Sequence, residues 1–208
     1  SFGGGSARKD WTARQLLLSK DGLCFIFGFG LLFIATTGGI TAFVPYMMER
    51  GYSPVAAVGL MSLTSLVSLA GSFIIGVIDS KCGTRAASIL FAGLYVAGYL
   101  GAFLLRETRT LFFVPLWLAM ASGGANANLM ASTLVSQYGR ANYAHVWSVL
   151  FTGCSLIRNL CYLLIGTIVS LSGSYARVYL VWGLISAAAL VLILLSNFNY
   201  RAAPGAAA

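Results

Sequence analysis

One arginine stands where the rest of the chain carries no charge. In the stretch CSLIRNLCYLL, Cys154 to Leu164, Arg158 is the only charged residue between Ala141 and Ala176. A charge at the centre of a membrane helix costs about 2.5–3.5 kcal/mol on insertion scales, so it is kept for a partner or a task. The guanidinium is a planar fork of fixed positive charge that can take a carboxylate through two parallel hydrogen bonds. At helical spacing Arg158 shares a face with Phe151, Cys154, Ser155, Cys161, Tyr162 and Ile165, which are small, polar or aromatic. Leu160, Leu164 and Ile168 lie on another face, so Arg158 is expected to point into a bundle. Asp10, Asp21, Glu49, Asp79 and Glu107 all fall at or beyond the ends of the apolar runs. Two readings stay open: Arg158 ties helices together, or it holds an anion. On the second, Cys154 and Tyr162 are its neighbours one turn away. Asn126 and the pair Thr37 and Thr41, which flank Gly38–Gly39, are further candidate contacts. Each of these is equally a residue type that bonds helix to helix.

The elements that must position these residues follow from composition. The chain has 208 residues, 59% hydrophobic and 9% charged, and a mean hydropathy of +0.86. A soluble domain carries about 25% charged residues, so this is the composition of a membrane protein. Uncharged runs cover Gly22–Met48, Gly51–Ile78, Ala86–Leu105, Thr110–Gly139, Ala141–Ala176 (Arg158 excepted) and Val178–Tyr200. Each is long enough to cross about 30 Å of hydrocarbon as a helix, the form that satisfies its own backbone in lipid. Six spans are expected, joined by short loops. With the N-terminus inside, the inner segments hold Arg8, Lys9, Arg14, Lys20, Lys81, Arg85, Arg140 and Arg201. The outer loops hold Arg50, Arg106, Arg109 and Arg177. The excess of inner cations places both termini in the cytoplasm.

The net charge of +8 is read as this orientation signal. The basic residues form no patch with interleaved aromatics, so no nucleic-acid partner is expected. Cys24, Cys82, Cys154 and Cys161 show no CxxC spacing, and the last two are too far apart along a helix for a disulfide. Ser68, Ser72 and Gly76 in the second span, and Ala97 and Gly101 in the third, make small-residue stripes that let helices approach. Pro45 and Pro115 mark kinks or breaks. A Ser–His hydrolase is excluded, because the only histidine, His145, sits at a span boundary. No enzyme activity, metal or cofactor is expected.

Three stretches carry a family resemblance. The loop GVIDSKCGTR, Gly76 to Arg85, resembles the signature loop of the major facilitator superfamily, roughly G-x-L-A-D-[RK]-x-G-[RK]-[RK]. Gly76, Ile78, Lys81, Gly83 and Arg85 fall on the pattern. Ser80 stands at its aspartate position, with Asp79 one residue earlier. The stretch YGRANYAHVWSVLFTG, Tyr138 to Gly153, is similar to the start of the eleventh helix in the branch of oxalate:formate antiporters and monocarboxylate transporters. GTIVSLSGSYARVYLVWG, Gly166 to Gly183, is similar to that branch's last turn. The resemblance spans about Trp11 to Phe198. It implies that the lysine contacting the substrate anion in those antiporters corresponds to Cys154, with Arg158 one turn farther on the same face. The branch's arginine in helix eight has no counterpart here, so a single cation is implied, which fits a monocarboxylate or another anion better than a dicarboxylate. It also implies that Asp79, Lys81 and Arg85 make salt bridges or helix-end contacts that stabilise the outward-facing state.

The fold class expected is thus an all-α membrane protein of six transmembrane helices. By the resemblance it is helices seven to twelve of a twelve-helix major facilitator fold, a 3+3 inverted repeat. Residues 1–20 are read as the end of a central cytoplasmic loop, 21–200 as the bundle and 201–208 as a cytoplasmic tail. The function implied is secondary transport of a small organic anion by alternating access, in the plasma or inner membrane. The partners would be the bilayer, the anion and an N-terminal six-helix half. A half-size transporter acting as a dimer and a non-transport membrane scaffold or sensor are the alternatives.

Overall fold

The computed structural model describes residues 11–108 and 110–196. The expected tail at 201–208, and Arg8, Lys9, Asp10, Arg109 and Arg201, lie outside the described residues. Those described form α1 (Ala13–Leu18), α2 (Lys20–Glu49), α3 (Pro54–Cys82), α4 (Thr84–Leu104), α5 (Phe113–Gly123), α6 (Asn126–Tyr138), α7 (Tyr143–Ser172) and α8 (Ala176–Leu195), with one 3-10 turn at Arg140–Asn142. Among them no strand occurs. The chain is an all-α protein in which α2, α3, α4, α7 and α8 are long and apolar enough to cross a membrane. It has the make-up of a multi-pass membrane protein.

Two expectations are corrected. The fourth apolar run is not one helix. It is α5 and α6, of 11 and 13 residues. Either alone rises only about 17–20 Å, short of the hydrocarbon. The chain stays right-handed at Gly124 (φ −64°) and Ala125 (φ −84°), and Ala125 N–H donates to the Ser122 carbonyl at 3.0 Å. The two helices are joined through right-handed backbone at the interruption. Each glycine of the Gly123–Gly124 pair gives up about 1 kcal/mol of helix propensity. In return their missing side chains let α3 approach: a Cβ at Gly124 would stand 2.6 Å from the Ser68 carbonyl oxygen.

The second correction concerns residues 11–20, expected as linker. They carry α1, because Trp11 and Leu16 are apolar and become buried. Trp11 sits edge-on to Tyr138 at 5.3 Å. Thr12 and Gln15 form a capping box at its start. Ser19 ends α1 and caps α2, accepting from Gly22 N–H at 3.0 Å.

Packing centres on α2, which packs most extensively on α7 and α8 and more lightly on α3, α5 and α6. It runs unbroken through Gly38–Gly39 and Pro45. The glycine pair serves packing: a Cβ at Gly38 would overlap the Trp182 indole, and one at Gly39 the Tyr99 hydroxyl. Pro115 lies in the first turn of α5, where a missing N–H costs nothing. It packs into α4 at Gly101, while Ala119 fills Gly98. The α4 stripe is therefore Gly98 and Gly101, and Ala97 is exposed. On the far side α4 packs on α8, where Gly183 receives Leu100. The helices α3 and α7 are the least buried spans. They flank α2 without packing on each other.

Candidate functional site

Arg158 is the sixteenth of the 30 residues of α7. Reciprocal glycines seat this helix on α2. Gly30 receives Ile157 and Gly153 receives Ile26, with a built Cβ only 3.0–3.1 Å from the opposing side chain. Val146, Leu150, Cys154 and Cys161 of α7 are buried there. Leu156, Leu160, Leu163 and Leu171 form a second, exposed apolar face, suited to lipid. A third face, nearly opposite the buried one, exposes Ser148, Thr152, Asn159, Tyr162 and Ser170. Arg158 lies where the buried and polar faces meet, and is half-buried.

The guanidinium of Arg158 stands 5.9 Å from the Phe33 ring centroid, at the outer reach of a cation–π contact. Phe33 is edge-on to Phe151 at 6.0 Å. Trp147 stacks on Phe151 at 4.9 Å, and Tyr143 follows at 5.6 Å. An aromatic ladder thus climbs α7 to Arg158. Among the described residues no hydrogen bond or ion pair engages the guanidinium. Asp21 and Glu49 lie at the two ends of α2, Asp79 near the end of α3 and Glu107 after α4. Cys154 is fully buried, its thiol on the Ile26 carbonyl at 3.6 Å. A ligand reaches it only if α2 and α7 part. Tyr162 is 56% exposed and its hydroxyl stands clear. Thr37 and Thr41 lie one and two turns beyond Phe33 on the same face of α2, half-buried and exposed. Thr41 donates to the Thr37 carbonyl at 2.8 Å.

Asn126 goes elsewhere. It opens α6 beside the interruption and is 2% exposed. Its Nδ2 donates to Thr36 Oγ1 at 3.4 Å, and Thr36 bonds the Tyr95 hydroxyl at 2.7 Å. Thr36, Tyr95, Ser68 and Gly123 each lie near the middle of their spans and border a cavity of about 170 Å³. Asn128 donates to Ser72 at 3.3 Å, and Ser72 to the Gly124 carbonyl at 3.0 Å. The sequence reading chose Thr37 and Thr41 and passed over Thr36. It also passed over Asn159, an exposed amide at mid-depth beside Arg158 with no hydrogen-bond partner among the described residues.

The stretch Gly76 to Arg85, expected as a loop, is instead helical on both sides of one residue: α3 continues to Cys82, Gly83 alone connects, and Thr84 opens α4. Gly83 has φ +86°, a conformation that glycine alone adopts cheaply. Its N–H donates to the Asp79 carbonyl at 3.0 Å. Gly83→Ala is expected to cost about 1 kcal/mol, read as a lowered unfolding midpoint in detergent. Lys81 and Arg85 are exposed, Gly76 faces open space, and Asp79 keeps Oδ1 buried and unpartnered. Among the described residues no ion pair joins Asp79 to Lys81 or Arg85. His145 is exposed in the first turn of α7. No three His, Cys, Asp or Glu side chains cluster as a metal centre needs, among the described residues.

At the opposite end the loops are tied directly. Glu49 accepts from the Ser174 hydroxyl at 2.5 Å and from Tyr175 N–H at 2.6 Å. Arg50 donates to the Arg106 and Thr108 carbonyls and lies 4.6 Å from the Phe112 ring. These clamps hold the far end of α2 to the two loops that follow α4 and α7. Compared with family models and with curated proteins, the chain matches none.

Proposed function

We propose that this chain is one six-helix half of a secondary transporter that moves a small organic anion by alternating access. The resemblance to the major facilitator superfamily makes it the second half, with a single cation that fits a monocarboxylate better than a dicarboxylate. The observation that carries the proposal is Arg158, a cation at mid-depth of α7 that forms no ion pair with an acid among the described residues. An unneutralised charge inside a membrane is a functional-site signal. A carboxylate would bind it bidentately, with the Phe33 ring behind the guanidinium. The polar face of α7, with Asn159 unpartnered at the same depth, is poorly suited to lipid. An N-terminal half covering it, together with Thr37 and Thr41, would leave a site at the midplane between two bodies, where secondary transporters bind their cargo. The interrupted span α5–α6 lies at the same depth, as discontinuous helices do in such proteins. A second copy of the chain could cover the same faces, which keeps a half-size dimeric transporter as the alternative. On this reading the protein sits in the plasma or inner membrane, and the excess of inner cations supports cytoplasmic termini.

The test is uptake of radiolabelled formate, lactate and oxalate into proteoliposomes holding the full-length transporter, N-terminal half included, with this chain alone as the test of the dimeric alternative. Saturable uptake of the monocarboxylates, competed by unlabelled anion, is expected. Folded protein that moves none of the three contradicts the proposal.

A further inference from the structure

The midplane cavity bordered by α2, α3, α4 and α5 has a chemistry of its own, and it carries no charge. Five hydroxyls line it: Thr36, Thr64, Ser65, Ser68 and Tyr95. Four of their protons are committed. Thr36 donates to the Leu32 carbonyl at 2.8 Å, Thr64 to Leu60 at 2.9 Å and Ser65 to Met61 at 3.2 Å. Because the Thr36 proton goes to Leu32, the 2.7 Å contact with Tyr95 is donated by Tyr95. Lone pairs remain on Thr64, Ser65 and Tyr95, while those of Thr36 already accept from Tyr95 and Asn126. Ser68 alone makes no hydrogen bond among the described residues and keeps a free proton. Asn126 stands behind Thr36 and does not line the cavity. The rest of the wall is apolar, with Phe43, Met61 and Met120.

Hydroxyls that can only accept need a donor, and an apolar wall penalises an ion. The volume of about 170 Å³ is room for roughly five waters at ~30 Å³ each. Gly123 keeps this room open: a Cβ there would stand 3.0 Å from the Tyr95 hydroxyl and 4.0 Å from Ser68 Oγ. Exposed Ile40 and Ser65 mark the mouth, on the side of α2 and α3 left uncovered.

We propose that this cavity is a second, charge-free binding site. It takes a small amphipathic molecule that donates a hydrogen bond, a short aliphatic alcohol being the simplest case. The alcohol proton goes to the accepting hydroxyls, its oxygen accepts from Ser68, and its alkyl part lies on the methionines. The site stands independently of whether Arg158 binds an anion.

The experiment is a fluorine NMR titration of the purified full chain in detergent with 2-fluoroethanol, 1-fluoro-2-methoxyethane and 2-fluoroethylammonium. Saturable binding of the alcohol is expected, with the ether about fivefold weaker, the worth of one net hydrogen bond. Thr64→Val keeps the shape and removes an acceptor, so it should weaken the alcohol about threefold or more and leave the ether unchanged. Gly123→Ala should abolish saturable binding of both while circular dichroism stays that of the parent. Equal binding of alcohol and ether would reduce the site to an apolar hole and overturn the proposal. So would tighter binding of the ammonium, or no saturable alcohol binding at all.

Discussion

Arg158→Gln is expected to lower saturable carboxylate uptake by about 100-fold or more while leaving the protein folded. Glutamine keeps much of the length and can still donate, but it has no charge. A hydrogen bond to a charged group contributes about 1.5–3 kcal/mol, and the guanidinium offers two in parallel. Losing the pair removes roughly 3 kcal/mol or more, and 1.4 kcal/mol is a factor of ten. Folding has little to lose. Among the described residues Arg158 makes no hydrogen bond or ion pair, and its cation–π contact with the Phe33 ring at 5.9 Å is worth about 0.5–1 kcal/mol. Membrane insertion should improve once the charge is gone. Arg158→Lys retains the charge without the fork and should fall between the two. Initial uptake rates in proteoliposomes, beside unfolding midpoints in detergent, separate a lost site from a lost fold.

The largest effect on stability is expected at Gly71. A Cβ there would fall inside the contact radius of the Ala121 carbonyl, a backbone atom that cannot rotate away. Gly71→Ala must push α3 off the interrupted span. It also strains the Ser72 bond to the Gly124 carbonyl and the Asn128 bond to Ser72. Overpacking of this kind costs about 1–3 kcal/mol, which lowers the unfolding midpoint by roughly 2–4 °C per kcal/mol in a chain of this size. Gly76→Ala is the control. It lies on the same helix with nothing within 4 Å, and a helical alanine in open space gains about 1 kcal/mol over glycine. Opposite shifts at two glycines five residues apart would show that the close approach is specific. Equal shifts would show that α3 does not seat on the interruption.

The spans were legible because charges and caps bracket them. The expected runs Gly22–Met48 and Ala86–Leu105 became Lys20–Glu49 and Thr84–Leu104. The interruption at Gly124–Ala125 was not legible from hydropathy, since Gly and Ala extend an apolar run without a dip. Its sign was the sequence SGGANAN, a glycine pair before an amide. Choosing Thr37 over Thr36 is a different limit. Adjacent residues point about 100° apart on a helix, and only the position of Tyr95 and Asn126 decides which threonine is bonded. Arg158 was legible because a charge in an apolar run needs no fold to be noticed. Asn159 beside it was missed because an amide reads as unremarkable until its face is seen to be uncovered.

The central claim is that Arg158 faces a water-filled anion path and not lipid. The direct measurement is the reactivity of Tyr162→Cys, one turn from a retained Arg158 and with Cys24 and Cys82 replaced by serine, toward a charged, membrane-impermeant thiol reagent. The account predicts rapid labelling by this reagent, slowed by millimolar formate or lactate in a concentration-dependent way. Labelling only by a lipid-soluble reagent, indifferent to carboxylate, would contradict it.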